Sequence, residues 1–134
     1  MPMNEAAPRV MIVDDEALVL FDLVMTVEEL GFHVFCDSVS VNEALECLGD
    51  GCPDAALLDI DVGGTYVWPL ARVLKDRGCP IAFVSANREH DELANEFANC
   101  RFIDKPASRD QIAKNLDGMV SARSESPKVE LRQA

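Results

Sequence analysis

Residues 9–16 read RVMIVDDE, an apolar run that ends in two consecutive acids, Asp14 and Asp15. Two later apolar runs also end beside a charged residue: AALL at 55–58 precedes Asp59, and FID at 102–104 precedes Lys105. Apolar runs of this length, separated by helix-like stretches, are typical of buried parallel strands. Because function gathers at the carboxyl ends of the strands in an open parallel sheet, we expect the four charged residues to share one rim.

The three aspartates have the chemistry of a metal site. Close carboxylates repel one another and attract a hard divalent cation such as Mg²⁺, which prefers oxygen ligands. A single strand-end aspartate is usually a turn or helix cap, and Asp15 or Glu16 is placed to cap the first helix. Caps do not explain acids at two strand ends together with Lys105 at a third, so the set favours a site suited to phosphoryl chemistry.

Predicted strands and helices alternate strictly along the chain. We expect strands at about 9–14, 32–36, 54–59, 80–85 and 101–104, and helices at about 16–30, 40–48, 66–77, 89–98 and 108–122. This alternation predicts an α/β fold with right-handed crossovers and helices on both faces of a parallel sheet. Ser40 and Ser108 are candidate N-caps.

Length and composition narrow the functional class. The 134 residues allow one domain, with an expected N-terminal extension at 1–8, the folded domain at 9–122 and a flexible tail at 123–134. The net charge of −12 argues against nucleic acid and anionic membranes as partners. The five cysteines lack zinc-site or disulfide-framework spacing, so we expect reduced thiols in a cytoplasmic protein. The N-terminus lacks signal-peptide features, and no segment is as long as a membrane span.

The ordered set Asp14-Asp15, Asp59, Ser85 and Lys105-Pro106 resembles the receiver domain of two-component response regulators, over roughly residues 8–122. The resemblance implies a flavodoxin-like (βα)₅ doubly wound sheet with strand order 2-1-3-4-5, and a cis peptide at Lys105-Pro106. It implies a phosphorelay signalling module, not an enzyme in the usual sense, which catalyses only its own phosphorylation and dephosphorylation.

The same resemblance assigns roles to the charged residues. Asp59 is then the phosphoacceptor, which takes a phosphoryl group from a kinase phosphohistidine and becomes 4-aspartylphosphate. Asp14 and Asp15 hold Mg²⁺ together with Asp59 and the backbone carbonyl of Asp61. Lys105 neutralises the charge that develops on the transferred group.

Two further positions match the conformational switch of receivers. Ser85 would bond a phosphoryl oxygen after transfer, although a serine at a strand end also commonly caps a turn. Phe102 stands where the family keeps an aromatic residue that rotates in concert, and an ordinary core phenylalanine is the alternative.

The loop after Asp59 departs from the common receiver pattern, because Gly63 stands where the family has a proline. With VWPLA at 67–71 and PIAF at 80–83, the chain is similar to single-domain receivers paired with HWE-type sensor histidine kinases, although Ser85-Ala86-Asn87 replaces their usual Thr-Gly-Tyr. The implied partners are such a kinase or a histidine phosphotransfer protein, and a downstream protein target. Gly63 and Gly64 predict a mobile loop over the acceptor.

The first helix carries more apolar residues than one buried stripe needs. We therefore expect some of Leu20, Phe21 and Val24 to remain exposed as a partner face. Docking of the kinase and self-association through the same patch both fit, so the chain is expected to be a monomer or a weak homodimer.

Two other functions use some of the same residues. Haloacid-dehalogenase-like phosphatases use an Asp-x-Asp pair, here Asp59 and Asp61, but their motif lies on the first core strand. A flavin-binding flavodoxin needs a Ser-, Thr- and Gly-rich phosphate loop after the first strand, where this chain has Asp14-Asp15-Glu16.

Overall fold

The computed structural model describes residues 7–133, with side chains described for 7–122. Most of the predicted 1–8 extension therefore lies outside the described residues. The strands are β1 (Arg9–Val13), β2 (His33–Ser38), β3 (Ala55–Leu58), β4 (Asp61–Val62), β5 (Thr65–Tyr66), β6 (Ile81–Ser85) and β7 (Arg101–Asp104). The helices are α1 (Ala17–Glu29), α2 (Val41–Leu48), α3 (Trp68–Asp76), α4 (Asp91–Ala94) and α5 (Arg109–Gln133).

Five parallel strands form the main sheet, in the order β2-β1-β3-β6-β7. Without the short β4-β5 pair, this is the predicted order 2-1-3-4-5, and the flavodoxin-like α/β fold is confirmed. The central strands are buried on both faces, as continuous apolar runs predict.

The core has two layers because successive residues of a strand point to opposite faces of the sheet. Met11 and Val13 pack with α2 and α3, whereas Val10 and Ile12 pack with α1 and α5. The two layers fix the sheet from both sides and thereby hold the strand ends in place.

The segment after Asp59 contains regular structure that was not predicted. Residues 61–66 form an antiparallel hairpin, β4-β5, whose two-residue turn is Gly63-Gly64. Both glycines have positive φ, 64° and 85°, which is the requirement of the primed turns that suit a two-residue hairpin. No strands were predicted at 61–66, and the mobility expected of this loop stays a prediction.

Two helices end elsewhere than predicted. Helix α4 covers only Asp91–Ala94. The backbone leaves helical geometry at Asn95, whose backbone amide and side chain both donate to the Asp91 carbonyl, at 3.1 and 3.0 Å. Helix α5 runs to Gln133, beyond its predicted end at 122, so the backbone of the expected tail is helical as far as Gln133.

Both predicted N-caps form. Ser40 Oγ accepts from the Glu43 amide at 3.1 Å, and Ser108 Oγ accepts from the Gln111 amide at 3.1 Å. Gln111 Oε1 in turn accepts from the Ser108 amide at 2.9 Å, which completes a capping box at the start of α5. None of the helices in the described range has the length and apolarity to cross a membrane.

Candidate functional site

Backbone hydrogen bonds tie the ends of neighbouring strands into one rim. The Asp59 amide donates to the Val13 carbonyl at 2.9 Å, and the Lys105 amide donates to the Ser85 carbonyl at 3.1 Å. These bonds continue the β1-β3 and β6-β7 ladders by one residue, so the residues after the strands keep the register of the sheet. The four charged residues predicted for this rim do meet there.

Three carboxylates converge at the rim. Asp14, Asp15 and Asp59 each offer an oxygen within 4.8 Å of the other two. Asp14 and Asp59 are buried, whereas Asp15 is exposed. Two carboxylates are thus largely withdrawn from water beside a third that faces it, an arrangement that concentrates negative potential at one point.

Lys105 joins the two buried carboxylates. Its Nζ lies 2.8 Å from Asp14 Oδ2, 3.1 Å from Asp59 Oδ2 and 3.8 Å from Glu16 Oε1. Burial by itself lowers the pKa of Lys105, but the contacts with Asp14 and Asp59 outweigh it and leave the pKa above its usual value. Lys105 is therefore a fixed positive charge at the site.

Asp59 is held in one orientation by two donors on different oxygens. Its Oδ1 accepts from the Ile60 amide at 2.8 Å, and its Oδ2 accepts from Lys105 Nζ at 3.1 Å. Burial raises the pKa of Asp59 more than these two donors lower it, and the charge of Asp14 adds to the rise. The charged form of Asp59 is therefore costly in this site, and a further cation would relieve it.

The donor set fits Mg²⁺. Asp14 Oδ2 is buried and has no partner with hydrogen-bond geometry among the described residues, although it lies close to Lys105 Nζ. A buried oxygen of this kind, beside two further carboxylates, is a suitable ligand for a hard cation. Asp61, the predicted backbone ligand, begins β4, and its carboxylate accepts from the Gly64 amide at 3.1 Å.

The hairpin is attached to the acid pair. Asp15 Oδ2 accepts from the Gly63 amide at 3.0 Å, across 48 positions of sequence. This contact was not predicted, although a Gly-Gly dipeptide between two short β-prone segments is a recognisable hairpin signal. The β4-β5 hairpin and Asp15 are thus linked by a hydrogen bond.

The two predicted switch residues lie on adjacent strands. Ser85 is buried at the end of β6, and its Oγ accepts from the Asn87 amide at 3.3 Å. Phe102 is half-buried on β7, and the Arg88 guanidinium lies 4.0 Å from its ring centroid. Arg88 also pairs with Asp104 through Nε at 3.0 Å and through a second nitrogen at 3.2 Å. Sequence reasoning did not find Arg88, because nothing local links it to β7.

The predicted partner face needs one correction. Leu20 is buried against the sheet and Val24 is partly buried, so of the three only Phe21 lies open, at 63% exposure. The other exposed apolar residues of α1 are Leu18, at 84%, and Met25, at 41%. A groove of about 640 Å³ runs from Leu18 and Phe21 to Pro106 beside Lys105.

Comparison with known proteins gives a family. No family model matches the sequence, and no curated protein sequence matches it. Among solved structures, SdrG from Sphingomonas melonis Fr1 is 30% identical, with a TM-score of 0.71, over 86% of this chain and 98% of that one. A response regulator receiver protein from Sinorhizobium medicae WSM419 is 28% identical, with a TM-score of 0.77, over 89% and 98% of the two chains. The signal receiver domain of a modulated diguanylate cyclase from Desulfovibrio desulfuricans G20 is 26% identical, with a TM-score of 0.77, over 88% and 97%.

The chain belongs to the response regulator receiver (CheY-like) family. Receivers are signalling modules rather than enzymes in the usual sense, and this membership supports a phosphoacceptor role in two-component signalling. The phosphatase alternative finds no support, since many of the structural matches are receivers and the Asp61 carboxylate is engaged in the hairpin turn. The Lys105-Pro106 peptide is cis, as the resemblance implied.

Proposed function

We propose that the protein is a single-domain response regulator whose Asp59 accepts a phosphoryl group from the phosphohistidine of a sensor kinase, in a Mg²⁺-dependent reaction. The observation that carries the proposal is the position of Lys105 Nζ, within 3.1 Å of oxygens of both Asp14 and Asp59 beside a third carboxylate. One fixed cation among three acids leaves a net negative pocket, which suits a divalent cation and hence a metal-assisted phosphoryl transfer.

The residues divide the reaction between them. Asp14, Asp15, Asp59 and the Asp61 carbonyl would hold Mg²⁺, which would supply positive charge beside the incoming phosphoryl group. The Ile60 amide fixes the rotation of the Asp59 carboxylate, so that an oxygen faces the pocket for in-line attack. The P–N bond of phosphohistidine breaks as a P–O bond to Asp59 forms, and the released imidazole takes a proton from solvent. Lys105 is already in place to pair with the added negative charge.

Ser85 and Phe102 would carry the change to the surface. Ser85 Oγ is bonded only to the Asn87 backbone among the described residues, a contact of 3.3 Å that it can exchange for a phosphoryl oxygen. Phe102 lies two strand positions from Asp104 and under Arg88, so a shift of the β6-α4 loop would uncover its ring. Output would pass to a downstream protein target through this face.

The proposed partners follow from the resemblance and the surface charge. An HWE-type sensor kinase or a histidine phosphotransfer protein would supply the phosphoryl group, with α1 and its exposed Phe21 as the contact face. The net charge of −12 makes nucleic acid an unfavourable partner. The proposed setting is the cytoplasm, and the proposed state is a monomer or a weak homodimer.

Phosphorylation by a small donor tests the proposal without knowledge of the kinase. Wild-type protein incubated with phosphoramidate and Mg²⁺ is expected to gain one phosphoryl group by intact mass, and Asp59→Asn to gain none. Asp76→Asn, an exposed aspartate at the end of α3, is the matched control and is expected to behave as wild type. Labelling of Asp59→Asn to the wild-type extent, or labelling that is independent of Mg²⁺, would overturn the assignment.

A further inference from the structure

An arginine in the loop between β6 and α4 binds the neighbouring strand β7 through two separate contacts. The Arg88 guanidinium pairs with the Asp104 carboxylate, Nε to Oδ1 at 3.0 Å and a terminal nitrogen to Oδ2 at 3.2 Å. The same guanidinium lies over the Phe102 ring, with its central carbon 4.0 Å from the ring centroid. Two parallel hydrogen bonds and a stacked ring fix both the position and the plane of the group. We call the contacts of Arg88 with Asp104 and Phe102 the Arg88 latch.

The latch is close to Ser85 along the chain, because only two residues separate Ser85 from Arg88. Ser85 ends β6 opposite Asp104 in the ladder with β7, so its backbone is held by the sheet. The chain then turns: the Asn87 amide donates to Ser85 Oγ at 3.3 Å, and Asn87 Oδ1 accepts from the Glu89 amide at 2.9 Å. The backbone between Ser85 and Arg88 is therefore fixed at one end by the sheet and at the other by the latch.

The far side of the loop is anchored by aromatic contacts. The His90 ring lies edge-on to the Tyr66 ring and to the Trp68 ring, with 5.6 Å between centroids in each case. Tyr66 belongs to the β4-β5 hairpin, and Trp68 begins α3. Loss of the latch would thus free the loop on its β7 side, while these ring contacts keep residue 90 in place.

We propose that Arg88 is a positioning residue that holds Ser85 in its unphosphorylated arrangement, and that the latch opens when Ser85 bonds a phosphoryl group on Asp59. This inference rests on the proposed function, because it concerns the response of Ser85 to phosphorylation of Asp59. Exchange of the Asn87 amide for a phosphoryl oxygen removes the hydrogen bond that closes the turn after Ser85. The latch resists the shift of residues 86–88 that follows, so it opposes the phosphorylated arrangement.

The latch is weak enough for phosphorylation to open it. The Arg88 and Asp104 side chains are 57% and 62% exposed, and exposed ion pairs contribute little even in good bidentate geometry. Stacking of a guanidinium on a ring adds a contribution of similarly small size. Contacts of this strength change the fraction of molecules with an open loop by roughly three- to tenfold. The latch therefore adjusts the response to phosphorylation without preventing it.

Binding of beryllofluoride, a reversible mimic of a phosphoryl group on a carboxylate, tests the latch at equilibrium. With Mg²⁺ present, Arg88→Gln is expected to bind beryllofluoride roughly three- to tenfold more tightly than wild type in a titration followed by fluorine NMR, because more of the variant already has an open loop. Equal or weaker binding by Arg88→Gln would overturn the proposal.

Arg72→Gln is the matched control for this titration. Arg72 lies on α3 and makes a fork of the same kind with Glu96, at 2.6 and 3.0 Å. The control removes the same charge and the same type of exposed ion pair, but it leaves the loop after Ser85 unchanged. It is expected to bind beryllofluoride as wild type does, and a gain equal to that of Arg88→Gln would overturn the proposal.

Further variants separate the geometry of the latch from its charge. Arg88→Lys keeps the charge but loses the planar fork, so it is expected to bind beryllofluoride like Arg88→Gln. Wild-type affinity in Arg88→Lys would show that charge alone matters and would contradict a positioning role. Asp104→Asn is expected to give part of the gain, since the stack on Phe102 remains. Combined with Arg88→Gln it is expected to add nothing, because both changes remove one contact, and additive gains would contradict this.

Labelling with phosphoramidate distinguishes failure of the latch from failure of the proposed function. The latch predicts that wild type and Arg88→Gln both gain a phosphoryl group at Asp59, and that Arg88→Gln does so roughly three- to tenfold faster. If both are labelled at the same rate, the latch is wrong and the phosphoacceptor role stands. If neither is labelled, the proposed function is wrong, and the latch fails with it.

Discussion

Replacement of Asp59 by asparagine is expected to stabilise the metal-free protein at neutral pH. At an effective dielectric constant of about 20, Lys105 Nζ at 3.1 Å attracts the Asp59 charge by roughly 5 kcal/mol. By the same relation, a carboxylate oxygen within 4.8 Å repels it by at least roughly 3.5 kcal/mol. Asp14 exerts this repulsion in full, and Asp15 exerts less because it is exposed and screened.

The attraction by Lys105 and the repulsion by the two acids nearly cancel, so the cost of burying the charge decides whether Asp59→Asn raises or lowers the stability. Asp59 is 8% exposed, and a buried charge without full compensation costs free energy. Asparagine keeps the oxygen that accepts from the Ile60 amide and removes the charge. We expect a gain on the order of 1 kcal/mol in the free energy of unfolding, or roughly 3–5 °C in melting temperature for a chain of this size.

Thermal and urea denaturation of wild type, Asp59→Asn and the control Asp76→Asn measure this gain. The control removes an exposed charge from the same net total of −12, so it corrects for general relief of charge repulsion. If Asp59→Asn unfolded at a lower temperature than wild type while Asp76→Asn did not, the Asp59 carboxylate would be a structural cap rather than part of a strained site.

Four further outcomes follow from the same geometry. The stability gained by Asp59→Asn depends on pH. Because the folded-state pKa of Asp59 is raised above 3.8, wild type loses stability as pH rises through that folded pKa. Melts from pH 3 to 8 are therefore expected to show the gain at neutral pH and none below about 3.8, and a gain that persists there would refute this origin. Mg²⁺ is expected to raise the melting temperature of wild type by mass action and that of Asp14→Asn less, as measured by scanning calorimetry at increasing Mg²⁺ concentrations. Equal shifts in the two proteins would place the metal elsewhere. Lys105→Met is expected to destabilise the metal-free protein by about 1–3 kcal/mol in urea denaturation, because it leaves Asp14 and Asp59 without their cation; an unchanged midpoint would show that the two contacts contribute nothing. Gly63→Ala is expected to lower the free energy of unfolding by about 1–2 kcal/mol, because a φ of 64° is unfavourable for a residue with a side chain and no atom lies within 4 Å of the added Cβ. Gly51→Ala is the comparison that separates backbone strain from steric collision, because there the Phe35 ring does obstruct the added Cβ.

The sheet and the main site could be predicted because they depend on local signals. Runs such as 10–13 and 55–58 are short and apolar at every position, which is typical of a strand buried on both faces. The residue after such a strand is carried to the rim by the register of the ladder, so Asp14, Asp59 and Lys105 were located by counting from the strands.

The remaining features depend on contacts that sequence does not show. Helix α1 is apolar around most of its circumference, so periodicity alone did not tell that Leu20 faces inward and Leu18 outward. Helix α4 ends early at Asn95, where the backbone leaves helical φ and ψ. The stacking of Arg88 on Phe102 joins a loop to a neighbouring strand across space, and no spacing rule predicts it.

The account rests most directly on the identity of the phosphorylated residue. Protein treated with phosphoramidate and Mg²⁺ and then reduced with borohydride carries a homoserine wherever an aspartyl phosphate had formed, and peptide sequencing by mass spectrometry locates it. The account predicts homoserine at position 59 alone and none when Mg²⁺ is withheld. Homoserine at position 14, 15 or 61, or a phosphoryl group that resists borohydride, would contradict it.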